Sequence, residues 1–188
     1  MFEDKSNILD NNRILYMSGE ITEQRAELIV SKLFQFECTN PTKDILLIID
    51  SYGGSVDSFV AMHDTIRLLR CDVATCCIGK AMSCGQLLLI SGQRGKRFIT
   101  PNSRVMMHEF TLTSHGKLTD VDNTITETKR LQKLVWEDLH MKYTKLNKQK
   151  LRDLKSKDAF LNAKECLTVG FVDHIVSSAS ELYKNINV

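Results

Sequence analysis

Three side chains that together can cleave acyl bonds lie next to apolar segments of this 188-residue chain. Ser83 follows the β-branched run 73–78 and precedes the apolar run 86–90, so a strand is predicted to turn into a helix at this serine. Such a turn lifts the hydroxyl out of the backbone, toward the N–H groups that begin the helix. His108 ends another predicted strand, and Asp158 comes just before a short apolar pair.

A serine is a poor nucleophile unless a base lies within hydrogen-bond reach and a third group orients that base. Ser83, His108 and Asp158 have the side chains for these three roles, whatever their order along the chain. Gly53 and Gly54 follow the aliphatic run 45–49 and offer unhindered backbone N–H groups to an oxyanion. The residues alone leave the triad open, because small residues after a strand more often form only a turn.

Aliphatic runs alternate with amphipathic segments, which predicts an α/β fold with a parallel sheet in a single domain over residues 1–188. The long helix has a sparse apolar stripe, so it is expected to project from the domain or to pack on a partner. The termini, 1–12 and 178–188, are expected to be flexible. The predicted strands are 13–17, 45–49, 73–78, 96–99, 104–108 and 171–176, and the predicted helices are 22–36, 55–69, 83–91, 119–143, 146–154 and 162–170.

The composition disfavours several classes of partner. The formal net charge of +2 gives no reason to expect nucleic acid or a membrane surface, and no apolar run approaches the roughly 20 residues of a bilayer span. The six cysteines lack zinc-site spacing, so reduced thiols, a cytoplasmic location, no metal and no cofactor are expected. His115, His140 and His174 are predicted to face solvent, and His63 to lie at the edge of a packed helix face.

Several segments, in the same order along the chain, resemble motifs of the Clp protease proteolytic subunit family, ClpP. The nucleophile segment of that family has the form Gly-x-Ala-Ala-Ser-Met-Gly, and its glycine segment has the form Asn-Ser-Pro-Gly-Gly-Ser-Val. The resemblance extends over about residues 12–177. The matching segments here are 50–56, 77–85, 95–108, 157–165 and 170–173.

The resemblance implies a serine endopeptidase with no cofactor. Ser83 would be the nucleophile, His108 the base and Asp158 its orienter, and the backbone N–H groups of Gly54 and Cys84 would form the oxyanion hole. The implied fold is the ClpP/crotonase spiral of repeated ββα units. A projecting segment at about residues 109–145, the handle, would join two rings.

The resemblance also implies partners. The family forms two stacked rings of seven copies, and an AAA+ ATPase feeds unfolded polypeptides into the chamber for ATP-dependent degradation. Asp120 in the handle and Lys157 would form the contact between rings, with lysine standing where the family has arginine. Residues 109–113, Glu-Phe-Thr-Leu-Thr, replace the family's Gln-Pro and glycines. These bulkier residues are expected to stiffen the strand that lies along bound peptide, or to narrow its groove.

Two other functions stay open at this point. A crotonase-like enzyme acting on acyl-CoA thioesters would share the fold and the Gly-Gly oxyanion device, although it would not need the triad. A catalytically weak structural subunit of a mixed ring would explain the altered handle. Thiol chemistry at Cys84 is a further alternative, less favoured than a packed residue whose backbone N–H matters.

Overall fold

A sheet of mainly parallel strands forms the centre of the computed structural model, which describes residues 12–155 and 158–188. The strands are β1 (Ile14–Ile21), β2 (Ile45–Gly54), β3 (Val73–Met82), β4 (Arg97–Ile99), β5 (Arg104–Met107), β6 (Ala159–Asn162) and β7 (His174–Ile175). Their order is β1-β2-β3-β4-β7, with β5 paired to β3 and β6 paired antiparallel to β5. The predicted α/β architecture with a parallel sheet is therefore confirmed.

The helices pack mainly on one face of this sheet, where most of the buried side chains form one core. They are α1 (Glu23–Thr39), α2 (Val56–Leu68), α3 (Cys84–Ile90), α4 (Leu118–Leu131), α5 (Asp138–Tyr143), α6 (Lys148–Lys155), α7 (Ala163–Val169) and α8 (Ala179–Tyr183). Asn162 caps α7 as predicted, and Glu165 completes a capping box with it.

The sheet divides at β3. The first part of β3 pairs with β4, from Thr75 opposite Arg97, and the second part pairs with β5, from Lys80 opposite Arg104. Because β5 replaces β4 as the neighbour, the carboxyl end of β3 lies beside the carboxyl end of β5. This change of neighbour gives the sheet a spiral arrangement and brings the ends of β3 and β5 to one edge.

The predicted helix 119–143 is not one regular helix. Between α4 and α5 it passes through a π-helical segment, Gln132–Glu137. None of the residues of α4 is buried, whereas Val135, Trp136 and His140 are buried farther along. The handle therefore projects from the domain in its first half and enters the core in its second half.

One of the predictions about histidines is wrong. His140, predicted to face solvent, is completely buried, because the end of the handle packs over α3. His63, predicted at the edge of a packed face, is 7% exposed and lies between Phe59 and Tyr143. His115 is exposed as predicted, and His174 is half-buried, stacked on Phe98.

The C-terminal residues 178–188, expected to be flexible, contain α8 and close a small second cluster on the opposite face of the sheet. Leu182 is buried there together with Leu46 and Phe98. The Asp44 N–H donates to the Asn187 carbonyl at 2.8 Å, and the Asn187 N–H donates to the Asp44 carboxylate at 2.9 Å. The prediction for 1–12 falls almost wholly outside the described residues.

Candidate active site

Ser83 occupies the turn between β3 and α3, as the sequence predicts. Its backbone has φ 52° and ψ −125°, a conformation that costs a residue with a side chain about 1–3 kcal/mol. The Ser83 N–H donates to the Met106 carbonyl at 2.9 Å, and its own carbonyl accepts from the Gln86 N–H at 2.9 Å. These bonds to β5 and α3 hold the half-buried hydroxyl in a nucleophile-elbow geometry.

Gly53 packs directly on this turn. A Cβ added at Gly53 would lie 2.7 Å from the Ser83 Cβ and 3.0 Å from the Cys84 backbone nitrogen, and its φ of +94° also favours glycine. Gly54, with φ +147°, lies so close to the Ile21 carbonyl that an added Cβ would collide with it. The end of β2 therefore borders the serine, where the sequence predicted oxyanion donors.

The thiol of Cys84 is adjacent to the same donors, and its burial favours the protonated form. Burial raises the pKa of Cys84 to about 11, and hydrogen bonds from the Ser83 hydroxyl and the Gly54 N–H only partly offset this. The side chain is 1% exposed. A thiol in this state stays protonated near neutral pH, whereas the thiolate is the form that attacks.

His108 and Asp158 follow and precede two paired strands. The last pair between β5 and β6 joins Met107 to Ala159, so His108 and Asp158 lie one residue beyond this pair, at the ends of the two neighbouring strands. His108 is half-buried and Asp158 is exposed. Among residues 12–155 and 158–188, no hydrogen bond joins the side chains of Ser83, His108 and Asp158. The strands bring the three residues to one edge of the sheet without linking their side chains.

The start of the handle, just after His108, is anchored to the π-helical segment by a contact that the sequence does not reveal. The Phe110 N–H donates to the side-chain oxygen of Gln132 at 2.7 Å, and Gln132 belongs to the π-helical segment. Phe110 also packs against the main core. Asp120, exposed in the first turn of α4, does not enter this site, and Lys157 lies outside the described residues.

Lys80 and Tyr52 meet on the strands leading to the site. Lys80 on β3 donates to the Asp50 carboxylate at 2.7 Å and lies 4.3 Å from the centre of the Tyr52 ring. The hydrogen bond to Asp50 raises the pKa of Lys80 above its ordinary value. Lysine and tyrosine at these positions therefore pack on each other across β2 and β3.

The comparison with known families settles the class of protein. The family model described as Clp protease matches residues 1–179. The chain belongs to the Clp protease family. Clp proteases are serine peptidases that work as oligomers with Clp ATPases, and the chain shares that general role.

Two further findings concern the described part of this Clp protease. Its helices include none with the length and apolar character needed to cross a membrane. Residues 12–155 and 158–188 also hold no group of three or more His, Cys, Asp or Glu side chains that could hold a metal ion.

Proposed function

We propose that the chain is the serine endopeptidase subunit of an ATP-dependent protease and hydrolyses peptide bonds of unfolded polypeptides. The observation that carries the proposal is the strained turn at Ser83, packed against Gly53 and held by backbone bonds to β5 and α3. A backbone conformation this unusual persists where it serves the exposure of a side chain. The register of β5 with β3 and β6 supports His108 and Asp158 as the other members of the triad.

The proposed reaction runs through an acyl-enzyme. The Ser83 oxygen attacks the peptide carbonyl carbon while its proton passes to the His108 imidazole, which Asp158 orients. The N–H groups of Gly54 and Cys84 stabilise the resulting oxyanion. The C–N bond then breaks as the imidazolium gives its proton to the leaving amine. Water, deprotonated by the same imidazole, hydrolyses the ester and frees Ser83.

Assembly into two stacked rings of seven copies, fed by an AAA+ ATPase, completes the proposal. It is supported by the handle, where Leu118 in the projecting half is 77% exposed and Leu134 in the π-helical segment is 46% exposed. A helix that leaves its apolar side chains in water gains free energy when another copy covers them. We propose a contact between Asp120 and Lys157 at the ring interface. The free state of all six cysteines supports a cytoplasmic location.

A second candidate function, a catalytically weak subunit of a mixed ring, is favoured by the state of the proposed triad in the single chain. Asp158 is exposed, and no hydrogen bond joins it to His108 within the described residues. If no assembly brings these side chains together, Ser83 has no activated base. The two candidates differ in whether Ser83 reacts.

Fluorophosphonate labelling of the full-length protein, read by mass spectrometry, separates them. We expect the phosphonyl group on Ser83 in fractions whose native mass corresponds to an assembly, and none in Ser83→Ala. Cys84→Ala should be labelled like the wild type, because the thiol is not the nucleophile. An assembled, folded protein that leaves Ser83 unlabelled would overturn the peptidase proposal in favour of the structural subunit.

A further inference from the structure

A buried polar pair joins the base of the handle to the nucleophile helix. His140 on α5 is completely buried, and its Nε2 lies 3.0 Å from the side-chain oxygen of Gln86 on α3. Its Nδ1 contacts the carbonyl oxygen of Trp136. Two aromatic rings also lie near it, with the ring centres of Trp136 and Phe171 at 4.9 and 5.8 Å.

The available hydrogen-bond donors and acceptors determine which atoms of this pair carry a proton. A carbonyl oxygen only accepts, so the Nδ1 of His140 carries a proton toward Trp136. Burial lowers the pKa of His140 to about 4, so near neutral pH the ring has no second proton and its Nε2 accepts. Gln86 must therefore present its amide nitrogen, which a 180° rotation of the amide achieves. The same rotation gives a partner to that nitrogen, which otherwise has none and is buried.

Backbone hydrogen bonds connect the pair of Gln86 and His140 to Ser83. Gln86 lies in the first turn of α3, and its backbone N–H donates to the Ser83 carbonyl at 2.9 Å. The Leu87 N–H donates to the same carbonyl at 3.2 Å. A continuous series of hydrogen bonds thus links His140 to Gln86 and Gln86 to the backbone of the strained serine.

We infer that Gln86 and His140 are positioning residues for Ser83, an inference that rests on the proposed function. Their hydrogen bond holds the first turn of α3 against the handle, so that the Ser83 hydroxyl keeps the orientation that attack requires. A displacement of about 1 Å at a reacting group can cost about a hundredfold in rate. Movement of the handle on assembly would then reach the serine through this bond.

The other end of α3 supplies a matched control. His63 contacts the Ser91 hydroxyl at 2.8 Å, and that hydroxyl donates to the Leu87 carbonyl at 2.7 Å. Burial lowers the pKa of His63 to about 4 as well. Both histidines are thus buried, neutral near pH 7 and bound to the same helix, but only His140 holds the turn that follows Ser83.

The test compares His140→Leu, which removes the bond, with His140→Gln, whose amide oxygen can still accept from Gln86. Below the melting temperature of each variant, we expect His140→Leu to slow fluorophosphonate labelling about tenfold, the effect of one lost buried hydrogen bond. His140→Gln and His63→Leu should stay within about threefold of the wild type. Peptide hydrolysis should lose kcat at nearly unchanged KM, because substrate contacts are untouched.

Hydrogen exchange gives a readout that does not depend on activity. We expect the Gln86 and Leu87 amides to exchange faster in His140→Leu than in the wild type, and to be unchanged in His63→Leu. Should His140→Leu fail to fold, Gln86→Met removes the same bond from the helix side. Unaltered labelling together with unaltered exchange at these amides would overturn the inference. If the wild-type protein is not labelled, the proposed peptidase function is overturned instead. The exchange data would still show whether His140 positions the first turn of α3.

Discussion

Ser83 follows the long central strand β3 and the two glycines end the long strand β2, whereas His108 and Asp158 adjoin the short strands β5 and β6. β2 and β3 have ten residues each, while β5 and β6 have four each. The nucleophile half of the proposed site, Ser83 with Gly53, Gly54 and Cys84, is fixed by backbone hydrogen bonds and close packing. The base half, His108 with Asp158, has an exposed carboxylate and no hydrogen bond to Ser83 within the described residues.

This difference indicates which part of the proposed site a single copy holds in place by itself. The parts that need an exact backbone, the strained serine and the proposed oxyanion donors, depend only on contacts inside the chain. The parts that need exact side-chain positions adjoin the handle, whose first half leaves apolar residues in water. We therefore expect substitutions in the nucleophile half to act in every state of assembly. Substitutions that loosen the base half should act most strongly on the isolated chain.

The largest effect is expected where the base of the handle joins the sheet. Arg97, with 4% of its side chain exposed, binds Asp173 through two bonds of 2.7 and 2.8 Å and also donates to the Tyr143 carbonyl. Asp173→Asn removes one charge of a buried pair, which costs about 3–5 kcal/mol. Urea unfolding should show this loss in the free energy of unfolding.

The control for this prediction is an exposed pair in the projecting half of the handle. Glu127 binds Arg130 at 2.6 Å, but both side chains are more than half exposed. Glu127→Gln should leave the free energy of unfolding without a measurable change, because water and salt screen such pairs. Equal losses in Asp173→Asn and Glu127→Gln would contradict the role of Arg97 and Asp173 as the anchor of the handle.

A methyl group added at Gly53 should greatly reduce the reactivity of Ser83. In Gly53→Ala the new Cβ would lie 2.7 Å from the Ser83 Cβ, so the serine turn must shift. We expect fluorophosphonate labelling to fall about a hundredfold. Gly95→Ala is the matched control, because Gly95 has a similar φ of +89° but open space around its added Cβ. Gly95→Ala should therefore show only the free-energy cost of placing a side chain on a backbone with positive φ. Similar labelling of both variants would rule out the clash as the cause.

The two histidines that hold α3 predict how stability depends on pH. Burial lowers the pKa of both His63 and His140 from 6.5 to about 4, so the unfolded chain binds protons more readily than the folded one. Stability is therefore complete above about pH 6.5 and is lost as the pH falls toward 4. At pH 5 each histidine should lower the free energy of unfolding by about 2 kcal/mol relative to its value at pH 7. Urea unfolding at both pH values should show a smaller difference in His140→Gln, and an unchanged difference would contradict this account.

The nucleophile half could be predicted from the sequence because it is local. An apolar β-branched run, a short turn and an apolar helix lie within one stretch of chain, so the position of Ser83 follows from neighbours in sequence. The aliphatic run of β2 likewise predicts where Gly53 and Gly54 lie. The parallel sheet follows from continuous apolar runs that only burial on both faces explains.

The contacts that hold the handle could not be predicted in this way, because their partners are distant in sequence. His140 lies among charged residues, so the local pattern predicts exposure, yet its partner Gln86 is 54 positions away. Asp173 matches a family position without any chemical role apparent from its neighbours, and the structure pairs it with Arg97. One signal was present in the sequence: Gln86 is a polar residue in an apolar helix, and a buried amide needs a partner.

The smallest predicted effect concerns the link between the base half and the handle. Gln132→Leu leaves the Phe110 N–H without its partner at 2.7 Å, which loosens the segment that begins at His108. We expect labelling of Ser83 to fall about fivefold, equivalent to about 1 kcal/mol for one hydrogen bond. Gln132→Glu retains an acceptor oxygen, so its labelling of Ser83 should fall by less. Because contacts with other copies would hold the same segment, the deficit of Gln132→Leu should shrink as protein concentration drives assembly. A deficit that stays constant from dilute chain to full assembly would show that the base half is as self-contained as the nucleophile half.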